Sequence, residues 1–253
     1  MRLTFLGTGT SCGVPVIGCQ CEVCQSTDPK DKRTRCSALV ETDETRLLID
    51  CGPDFRQQIL PQPFRRIDGI LITHAHYDHM GGMDDIRPYC QFGEINVYAD
   101  SSACQSMLEM LPYCFAENRY PGVPAIGLHE ILPHEPIRIG DLEIVPFVVI
   151  HGKMPILGYR IGKLAYITDM KTIDESEMQY LEGTELLVVN ALRFDKPHHA
   201  HQLVDDAVRF AQRVGARQTY LIHSCHDIGL HEEVNRKLPA AIQLAYDGQT
   251  VVF

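Results

Sequence analysis

Residues 73–79 constrain this chain more than any other stretch, because four of the seven are of types that bind metal ions. These four are His74, His76, Asp78 and His79. The preceding residues 67–72 form a short apolar run, which predicts a buried strand. In extended backbone His74 and His76 project to the same side, while Asp78 and His79 lie where the chain turns towards two glycines. One segment can therefore serve two adjacent metal ions; the alternative is a pair of solvated surface histidines beside an unrelated turn.

Length and hydrophobic content set the scale of the fold. The chain has 253 residues, of which 45% are hydrophobic, and this suits a sizeable core in one domain covering residues 1–253. Every apolar run is interrupted before the roughly 18 residues needed to cross a bilayer. The first 19 residues contain Gly, Thr and Pro where an export signal has an apolar stretch, so we interpret them as a strand and a loop. We expect a cytoplasmic protein with no membrane partner.

The charge of the chain bears on its partners. The formal net charge is −10, from 23 basic and 33 acidic residues, and no dense run of Lys or Arg occurs. Such a chain repels the phosphates of nucleic acids, so a polynucleotide partner is disfavoured. Bound divalent cations would make one site locally positive, and a small anionic substrate is therefore compatible with the overall charge.

Three of the ten cysteines, Cys19, Cys21 and Cys24, stand within six residues. A disulfide scaffold is typical of short secreted chains, whereas this chain is long and has an ordinary core, so we expect reduced thiols. Three thiolates this close in sequence can converge on one tetrahedral metal ion, which needs a fourth ligand. On local sequence alone, three buried or redox-active thiols are the alternative.

Predicted strands also end in a histidine or an aspartate further along the chain. These are His151 after residues 142–150, Asp169 after residues 164–168, and His223 after residues 218–222. Taken alone, His151 fits a turn residue better than a ligand. His201 stands just before the predicted helix 203–214. Asp50 ends another strand, where it either accepts the second N–H of a ligand histidine or forms a turn.

Strands and helices alternate in the remaining pattern. Further helices are predicted at residues 53–60, 101–111 and 230–238. Residues 112–128 are rich in Tyr, Phe, Pro and Gly without a clear period, which predicts a loop that borders a pocket. The glycines at 7, 9 and 13 miss the spacing of a dinucleotide fingerprint, so we interpret them as permitting close approach of the backbone to a neighbouring site.

Ligand types at several strand ends match the needs of a two-metal hydrolase. Two ions about 3.5–4 Å apart hold a bridging hydroxide, lower its pKa and neutralise charge at the attacked centre. Nitrogen-rich coordination with a carboxylate suits Zn, Mn or Fe better than Ca or Mg. We therefore expect two divalent cations, Zn or Mn with Fe as a further option, and no organic cofactor.

The His-x-His-x-Asp-His pattern, followed in order by His151, Asp169 and His223, resembles the metallo-β-lactamase superfamily over essentially the whole chain. The resemblance implies an α/β fold, a four-layer αββα sandwich with the site at one edge. It also implies how the ligands are shared. His74, His76 and His151 would hold one metal, Asp78, His79 and His223 the other, and Asp169 would bridge them.

Residues 7–24 resemble one branch of that superfamily, the PhnP type, a cyclic phosphodiesterase associated with carbon–phosphorus lyase pathways. The matching features are the glycine-rich run 7–15 and the cysteines at 19, 21 and 24. In that type three cysteines and a histidine just after the last active-site ligand bind a structural zinc. His226 stands at that position. The resemblance thus implies an inserted structural metal-binding loop at about residues 12–36.

The same resemblance implies that His201 is the catalytic histidine, which contacts the phosphate and protonates the leaving oxygen. Asp78 and Asp169 complete the catalytic set, and His199 is a competing proton donor. The chain departs from the type in residues 101–128 and in the residues before His201. The natural substrate therefore does not follow from the resemblance.

We expect a phosphodiesterase, in which a metal-bridged hydroxide attacks a small phosphodiester, most suitably a cyclic one of a sugar or nucleotide, and His201 acts as general acid. Hydrolysis of a carboxylic ester, thioester or lactone on the same metal pair is one alternative, and RNA 3′ processing is another. An inactive metal-binding scaffold is the non-enzymatic alternative, but none of the seven ligand positions is missing. The pattern is also compatible with a homodimer.

Overall fold

The computed structural model describes all 253 residues, and its strands form two sheets of seven strands each. The strands are β1 Arg2–Gly7, β2 Ser37–Glu41, β3 Arg46–Ile49, β4 Gly69–Leu71, β5 Ile95–Ala99, β6 Ile126–Glu130, β7 Ile137–Ile139, β8 Leu142–His151, β9 Met154–Ile161, β10 Leu164–Tyr166, β11 Leu186–Asn190, β12 Gln218–Ile222, β13 Ile242–Leu244 and β14 Thr250–Val252. The α-helices are α1 Glu22–Gln25, α2 Phe55–Ile59, α3 Tyr77–Met80, α4 Ser101–Met110, α5 Pro112–Phe115, α6 Val204–Val214 and α7 His231–Lys237. Short 3₁₀-helices occupy Pro29–Asp31, Met83–Phe92, Glu175–Leu181 and His226–Ile228.

Each sheet mixes antiparallel and parallel pairs. The first has the order β14-β1-β2-β3-β4-β5-β6, with parallel pairing from β3 to β6. The second has the order β13-β12-β11-β10-β9-β8-β7, with parallel pairing from β10 to β13. The carboxyl ends of parallel strands meet at one edge of a sheet, so residues that follow β3, β4, β10, β11 and β12 are brought to common edges.

The apolar residues of the central strands explain why two sheets stack with helices outside. In β3, Leu47 and Ile49 belong to the core between the sheets, whereas Leu48 faces an outer core. In β11, Leu186 points inwards and Leu187 outwards in the same way. A strand that is apolar on both faces needs cover on both faces. The three large clusters therefore correspond to one core between the sheets and one under each helical layer, which confirms the predicted αββα sandwich.

Helices close the outer layers. The buried residues Ala207, Phe210 and Ala211 of α6 cover the second sheet, and the helix ends at Gly215, whose φ of 72° suits glycine. Asp100 caps α4 by accepting the N–H of Ala103 at 2.7 Å. No helix has the length and apolar character needed to span a membrane. The assignment of residues 1–253 to one domain stays a prediction.

The loop predicted at 112–128 is wrong in part. Residues Pro112–Phe115 form α5, and β6 begins at Ile126 and pairs in parallel with β5. β6 is an edge strand of its sheet; Gly127 and Leu128 are half-buried, and His129 and Glu130 are exposed. Gly127 and His129 interrupt the apolar residues of β6, so its sequence shows no apolar run that would predict a strand. The segment is a strand because it pairs with β5.

Candidate active site

Six strand ends deliver polar side chains to one edge of the sandwich. Asp50 follows β3, the segment 73–79 follows β4, and His151 ends β8. In the second sheet Asp169 follows β10 by three residues, and His223 directly follows β12. The loop between β11 and α6 carries His201. Residues that are up to 173 positions apart in sequence therefore form one cluster, in which two groups of four ligand atoms lie close enough to hold a metal ion.

The first group consists of His74, His76, His151 and Asp169, whose ligand atoms lie within 4.8 Å of one another. His74 Nε2 lies 3.0 Å from His76 Nδ1. The outer nitrogen of His151, Nδ1, donates to the carbonyl of Ala200 at 3.1 Å. Because that nitrogen carries the proton, Nε2 of His151 presents its lone pair to the group.

The second group consists of Asp78, His79, Asp169 and His223. His79 Nε2 lies 3.3 Å from Asp78 Oδ2 and 3.3 Å from Asp169 Oδ1. His223 Nε2 lies 3.2 Å from Asp169 Oδ2. Asp169 belongs to both groups, so the geometry is compatible with the predicted bridging role.

Buried, unpartnered nitrogen atoms support a metal at this edge. Nε2 of His79 and both ring nitrogens of His223 are buried without a hydrogen-bond partner. Such atoms are costly in a protein interior unless something binds them. Ligand atoms bound at about 2.0–2.2 Å to one tetrahedral ion stand about 3.3–3.6 Å apart. Four nitrogen-to-oxygen spacings in the second group are 3.2–3.7 Å, close to this range, and the nitrogen-rich donor set suits Zn, Mn or Fe.

Asp50 orients two of the histidines. Its Oδ2 accepts the Nδ1–H of His79 at 2.7 Å, which leaves His79 Nε2 free for a metal. Its carboxylate also accepts the Thr73 hydroxyl at 2.9 Å. The same Thr73 oxygen lies 3.0 Å from His74 Nδ1 and can accept that proton. Of the two interpretations of Asp50, orientation of a ligand histidine is therefore the one that its contacts support.

Charges in the cluster depend on one another. Burial opposes ionisation of Asp169, but His223 and His79 outweigh it and hold the pKa of Asp169 well below its usual value. Burial likewise opposes protonation of His79, but Asp169 and Asp50 raise its pKa well above the ordinary value. The pKa of Asp78 is lowered because the nearby rings of His223 and His79 outweigh its burial. Both carboxylates are therefore ionised at neutral pH.

Backbone strain is concentrated in the same cluster. Asp50, Asp169 and His223 have φ values of 58°, 55° and 55°. Residues other than glycine seldom adopt this left-handed conformation, and it persists where the surrounding structure imposes it. All three follow strands, so the turn directs each side chain towards the cluster instead of continuing the strand.

His201 borders both groups. It is 8% exposed, and its Nδ1 lies 3.9 Å from Asp169 Oδ2 without a hydrogen-bond partner. Burial, together with His223, lowers the pKa of His201 to about 3, so the ring is neutral in this arrangement. His199, the competing candidate, is exposed, and its ring contacts that of His198 at a centroid distance of 4.6 Å. Of the two histidines, His201 is the one placed at the cluster.

The cysteines form a separate group of ligands. Cys19, Cys21, Cys24 and His226 offer ligand atoms within 4.8 Å of one another. His226 Nδ1 lies 3.3 Å from Cys19 Sγ and 3.2 Å from Cys21 Sγ. The Cys24 N–H, and after it His226, lowers the pKa of Cys21 to about 6, which favours the thiolate that binds zinc. Four converging N and S ligands are the donor set of a structural zinc site.

The glycine-rich loop joins the two metal-ligand regions. The Ser224 N–H donates to the Thr8 carbonyl at 3.1 Å, and the Thr10 N–H donates to the Ser224 carbonyl at 3.3 Å. Ser224 stands between His223 of the active site and His226 of the cysteine group. A Cβ at Gly7 would lie 2.0 Å from the Arg35 carbonyl oxygen, so the absence of a side chain lets this loop pack against the backbone of residues 33–35. The predicted approach of these glycines to a site stays a prediction.

Some residues of the site were not found from the sequence. Thr73 relays between Asp50 and His74, and the Ala200 carbonyl holds His151. Lys171 Nζ donates to the His201 carbonyl at 3.1 Å. These contacts use a hydroxyl, a backbone group and a lysine that carry no motif. Only Thr73, next to the histidine motif, had a positional signal.

Comparisons with known proteins agree with the motif. Residues 45–224 match the family model described as "Beta-lactamase superfamily domain". A solved structure described as "Crystal Structure of a New Diphosphatase from the PhnP Family" is 41% identical with a TM-score of 0.91, over 99% of this chain and 97% of that chain. A protein named octanoyltransferase, from Porphyromonas gingivalis, is 45% identical over 249 residues, which are 98% of this chain and 51% of that protein.

A more distant relative is a ribonuclease Z from Methanopyrus kandleri, which is 28% identical over 138 residues, 53% of this chain and 46% of the relative. The chain thus spans about half the length of these two curated relatives. The PhnP-family structure, by contrast, is covered almost completely. Together with the match over residues 45–224 and the αββα sandwich, this establishes that the chain belongs to the metallo-β-lactamase superfamily and, within it, to the PhnP family.

Proposed function

We propose that this chain is a phosphoric diester hydrolase that depends on divalent cations and acts on a small anionic substrate. The observation that carries the proposal is the position of His201. Its ring centroid lies 4.7 Å from that of His151 and 4.8 Å from that of His223, so it touches one member of each ligand group and belongs to neither. A proton donor that is not a ligand is what cleavage of an alkyl phosphodiester requires.

The two groups of ligands would hold one cation each and share Asp169. Two divalent cations bound there supply positive charge for the phosphoryl oxygens and lower the pKa of a water molecule to about 7. The cysteine group would hold one zinc ion with a structural role. The chain's net charge of −10 is compatible with a small anion at such a site and disfavours a polynucleotide.

The residues of the chain supply proton acceptors and a donor. Asp78 and Asp169 are ionised, so each can accept a hydrogen bond from the attacking water and orient it. His201 is neutral in the free site, and the negative charge of a bound phosphate raises the pKa of an adjacent imidazole. The protonated ring then gives its proton to the leaving oxygen, because an alkoxide leaves poorly without one.

Cleavage of a diphosphate is a second candidate, favoured by the relative described as a diphosphatase. The chemistry differs in the leaving group. A phosphate leaves more readily than an alkoxide, so a diphosphate substrate depends less on proton donation by His201. The effect of removing His201 therefore separates the two candidates.

Acyl transfer or acyl hydrolysis is a third candidate, favoured by the relative named octanoyltransferase. That protein is about twice as long as the matched region, so its name need not describe the half that matches. A thioester releases a thiolate, which needs no general acid.

RNA 3′ processing, suggested by the ribonuclease Z relative, would require binding of a polyanion to a chain of charge −10.

The test uses full-length protein reconstituted with Zn or Mn and four substrates. These are bis(p-nitrophenyl) phosphate, a nucleoside 2′,3′-cyclic phosphate, a disubstituted diphosphate and an octanoyl thioester. Wild type is compared with His201→Ala and with His199→Ala, which removes an exposed imidazole from the same loop. Metal content is measured for each variant.

We expect His201→Ala to lower turnover of the cyclic phosphate by about 10²–10⁴-fold with metal content unchanged, and His199→Ala to have little effect. The loss should be smaller with bis(p-nitrophenyl) phosphate, because nitrophenolate leaves readily without a proton. Turnover of the thioester alone would refute the phosphodiesterase proposal. Equal losses on both diesters would show that His201 does not act as the acid.

A further inference from the structure

The side chain of His198 holds a tight turn in the loop that carries His201. Its Nδ1 accepts the backbone N–H of Ala200 at 3.2 Å and that of His201 at 3.2 Å. A ring nitrogen that accepts two N–H groups carries no proton itself, so the proton of the neutral ring is on Nε2. Burial, followed by the nearby His199, lowers the pKa of His198, which agrees with a neutral ring.

The ring of His198 also stacks on the ring of His201. The centroids are 4.8 Å apart and the planes differ by 24°. On its other sides the ring of His201 meets His151 and His223. The side chain of His201 is therefore enclosed by two candidate metal ligands and by one histidine that is in neither ligand group.

The backbone around His201 is held at further points. Lys171 Nζ donates to the His201 carbonyl, and the Ala200 carbonyl accepts from His151. The next residue, Gln202, donates its N–H to the Met170 carbonyl at 3.2 Å. The N–H groups of Ala200 and His201 are instead bound by the side chain of His198. A substitution of His198 therefore removes these two hydrogen bonds without altering a candidate metal ligand.

We propose that His198 is a positioning residue that sets the place of His201 by binding the two N–H groups of the turn. The inference rests on the proposed role of His201 in catalysis. Ala200 and His201 are each only 8% exposed, so loss of the acceptor leaves two N–H donors with little access to water. The turn must then rearrange to satisfy them, and His201 moves with it. The third histidine of the loop, His199, is exposed and does not share this role.

Two substitutions of His198 distinguish the effect of its hydrogen-bond acceptor, Nδ1, from the effect of its ring stacking on His201. His198→Asn places Oδ1 where Nδ1 stands, because both atoms are bonded to Cγ, and asparagine commonly accepts backbone N–H groups in this way. His198→Phe keeps a planar ring for stacking on His201 but has no acceptor. Both variants are made in the full chain and loaded with the same metals as wild type.

We expect His198→Phe to lower kcat for the cyclic phosphate by roughly 10–100-fold, because small displacements of a catalytic group have effects of this size. KM and metal content should change little, since the lost interaction acts in the transition state. His198→Asn should retain turnover close to that of wild type. Hydrogen exchange of the Ala200 and His201 amides, followed by NMR, should be faster in the Phe variant than in wild type and slow again in the Asn variant.

Equal turnover of the Phe variant and wild type would overturn the proposal, as would a loss in the Asn variant as large as that in the Phe variant. A loss accompanied by lower metal content would also overturn it, since the effect would then be on the ligands. The exchange measurement needs no substrate, so it tests the turn even if the phosphodiesterase proposal fails. Failure of that proposal is recognised separately, by wild-type protein that turns over the thioester alone.

Discussion

Replacing Asp50 by asparagine changes one atom of a fully buried side chain and should weaken metal binding at the second ligand group. In wild type, Oδ2 of Asp50 accepts the Nδ1–H of His79 at 2.7 Å, and Oδ1 accepts the Thr73 N–H at 2.8 Å. Asparagine can keep an oxygen towards Thr73, but its NH₂ group then faces Nδ1 of His79. Two donors cannot face each other, so the proton of His79 moves to Nε2.

The size of the effect follows from the position of that nitrogen. Nε2 of His79 lies 3.3 Å from both Asp78 and Asp169 and is the atom available to a metal. In the variant, a metal ion that binds Nε2 of His79 must displace the proton there, which breaks the hydrogen bond from the asparagine NH₂ group to Nδ1. Otherwise the ion is bound without His79 as a ligand. Loss of one buried hydrogen bond costs about 1–3 kcal/mol, which corresponds to about 5–150-fold in affinity. The effect of removing a partner that orients a metal-bound histidine, about 10–100-fold, lies within this range.

The assay is competition for zinc between a chromophoric chelator and the metal-free chain. We expect one of the active-site zinc ions to bind about 10–100-fold more weakly in Asp50→Asn. Asp54→Asn is the matched control, because it removes the same charge from a carboxylate that binds Arg35 instead of a ligand histidine. Equal affinity of Asp50→Asn, Asp54→Asn and wild type would refute the orienting role of Asp50.

Two further predictions concern the packing of Gly52 against the ligand residue Asp78 and the role of Cys21 as a zinc ligand. Gly52→Ala should destabilise the chain by roughly 1–3 kcal/mol, because the new Cβ would lie 2.1 Å from the Asp78 carbonyl oxygen; urea unfolding measures this, and an unchanged midpoint would contradict it. Cys21→Ser should lower bound zinc by one ion per chain and lower the Tm, whereas Cys12→Ser, an exposed thiol of the same loop, should do neither. A Cys21→Ser protein that retains the full zinc content would show that Cys21 is not a ligand.

Much of the fold was predictable where the pattern was local and strong. The strands predicted at residues 142–150 and 218–222 are apolar runs, and the predicted bounds differ from the observed ones by one residue or less. The amphipathic helix predicted at 203–214 is observed at Val204–Val214. Short elements at sheet edges were missed, notably β6 and β7. Their residues are apolar only in part, and pairing with a neighbouring strand is what makes them strands.

The candidate ligands could be named from the sequence because metal chemistry restricts residue types and because the motif residues lie at strand ends. Three interpretations could not be decided there. His151 alone was a better turn residue than ligand, Asp50 was open between two roles, and His199 competed with His201. In each case the observation that favours one interpretation is a contact with a residue distant in sequence, such as that between His151 and Ala200.

By itself, the sequence determined which residue types are available for chemistry and that most central strands need cover on both faces. Those properties depend on composition and spacing along one segment. Only the tertiary structure decided which nitrogen of each histidine faces the cluster, because that depends on what binds the other nitrogen. It also decided that His198 turns inwards to its own backbone while His199 faces solvent. The conformation of the turn thus places two histidines that are adjacent in sequence in different environments.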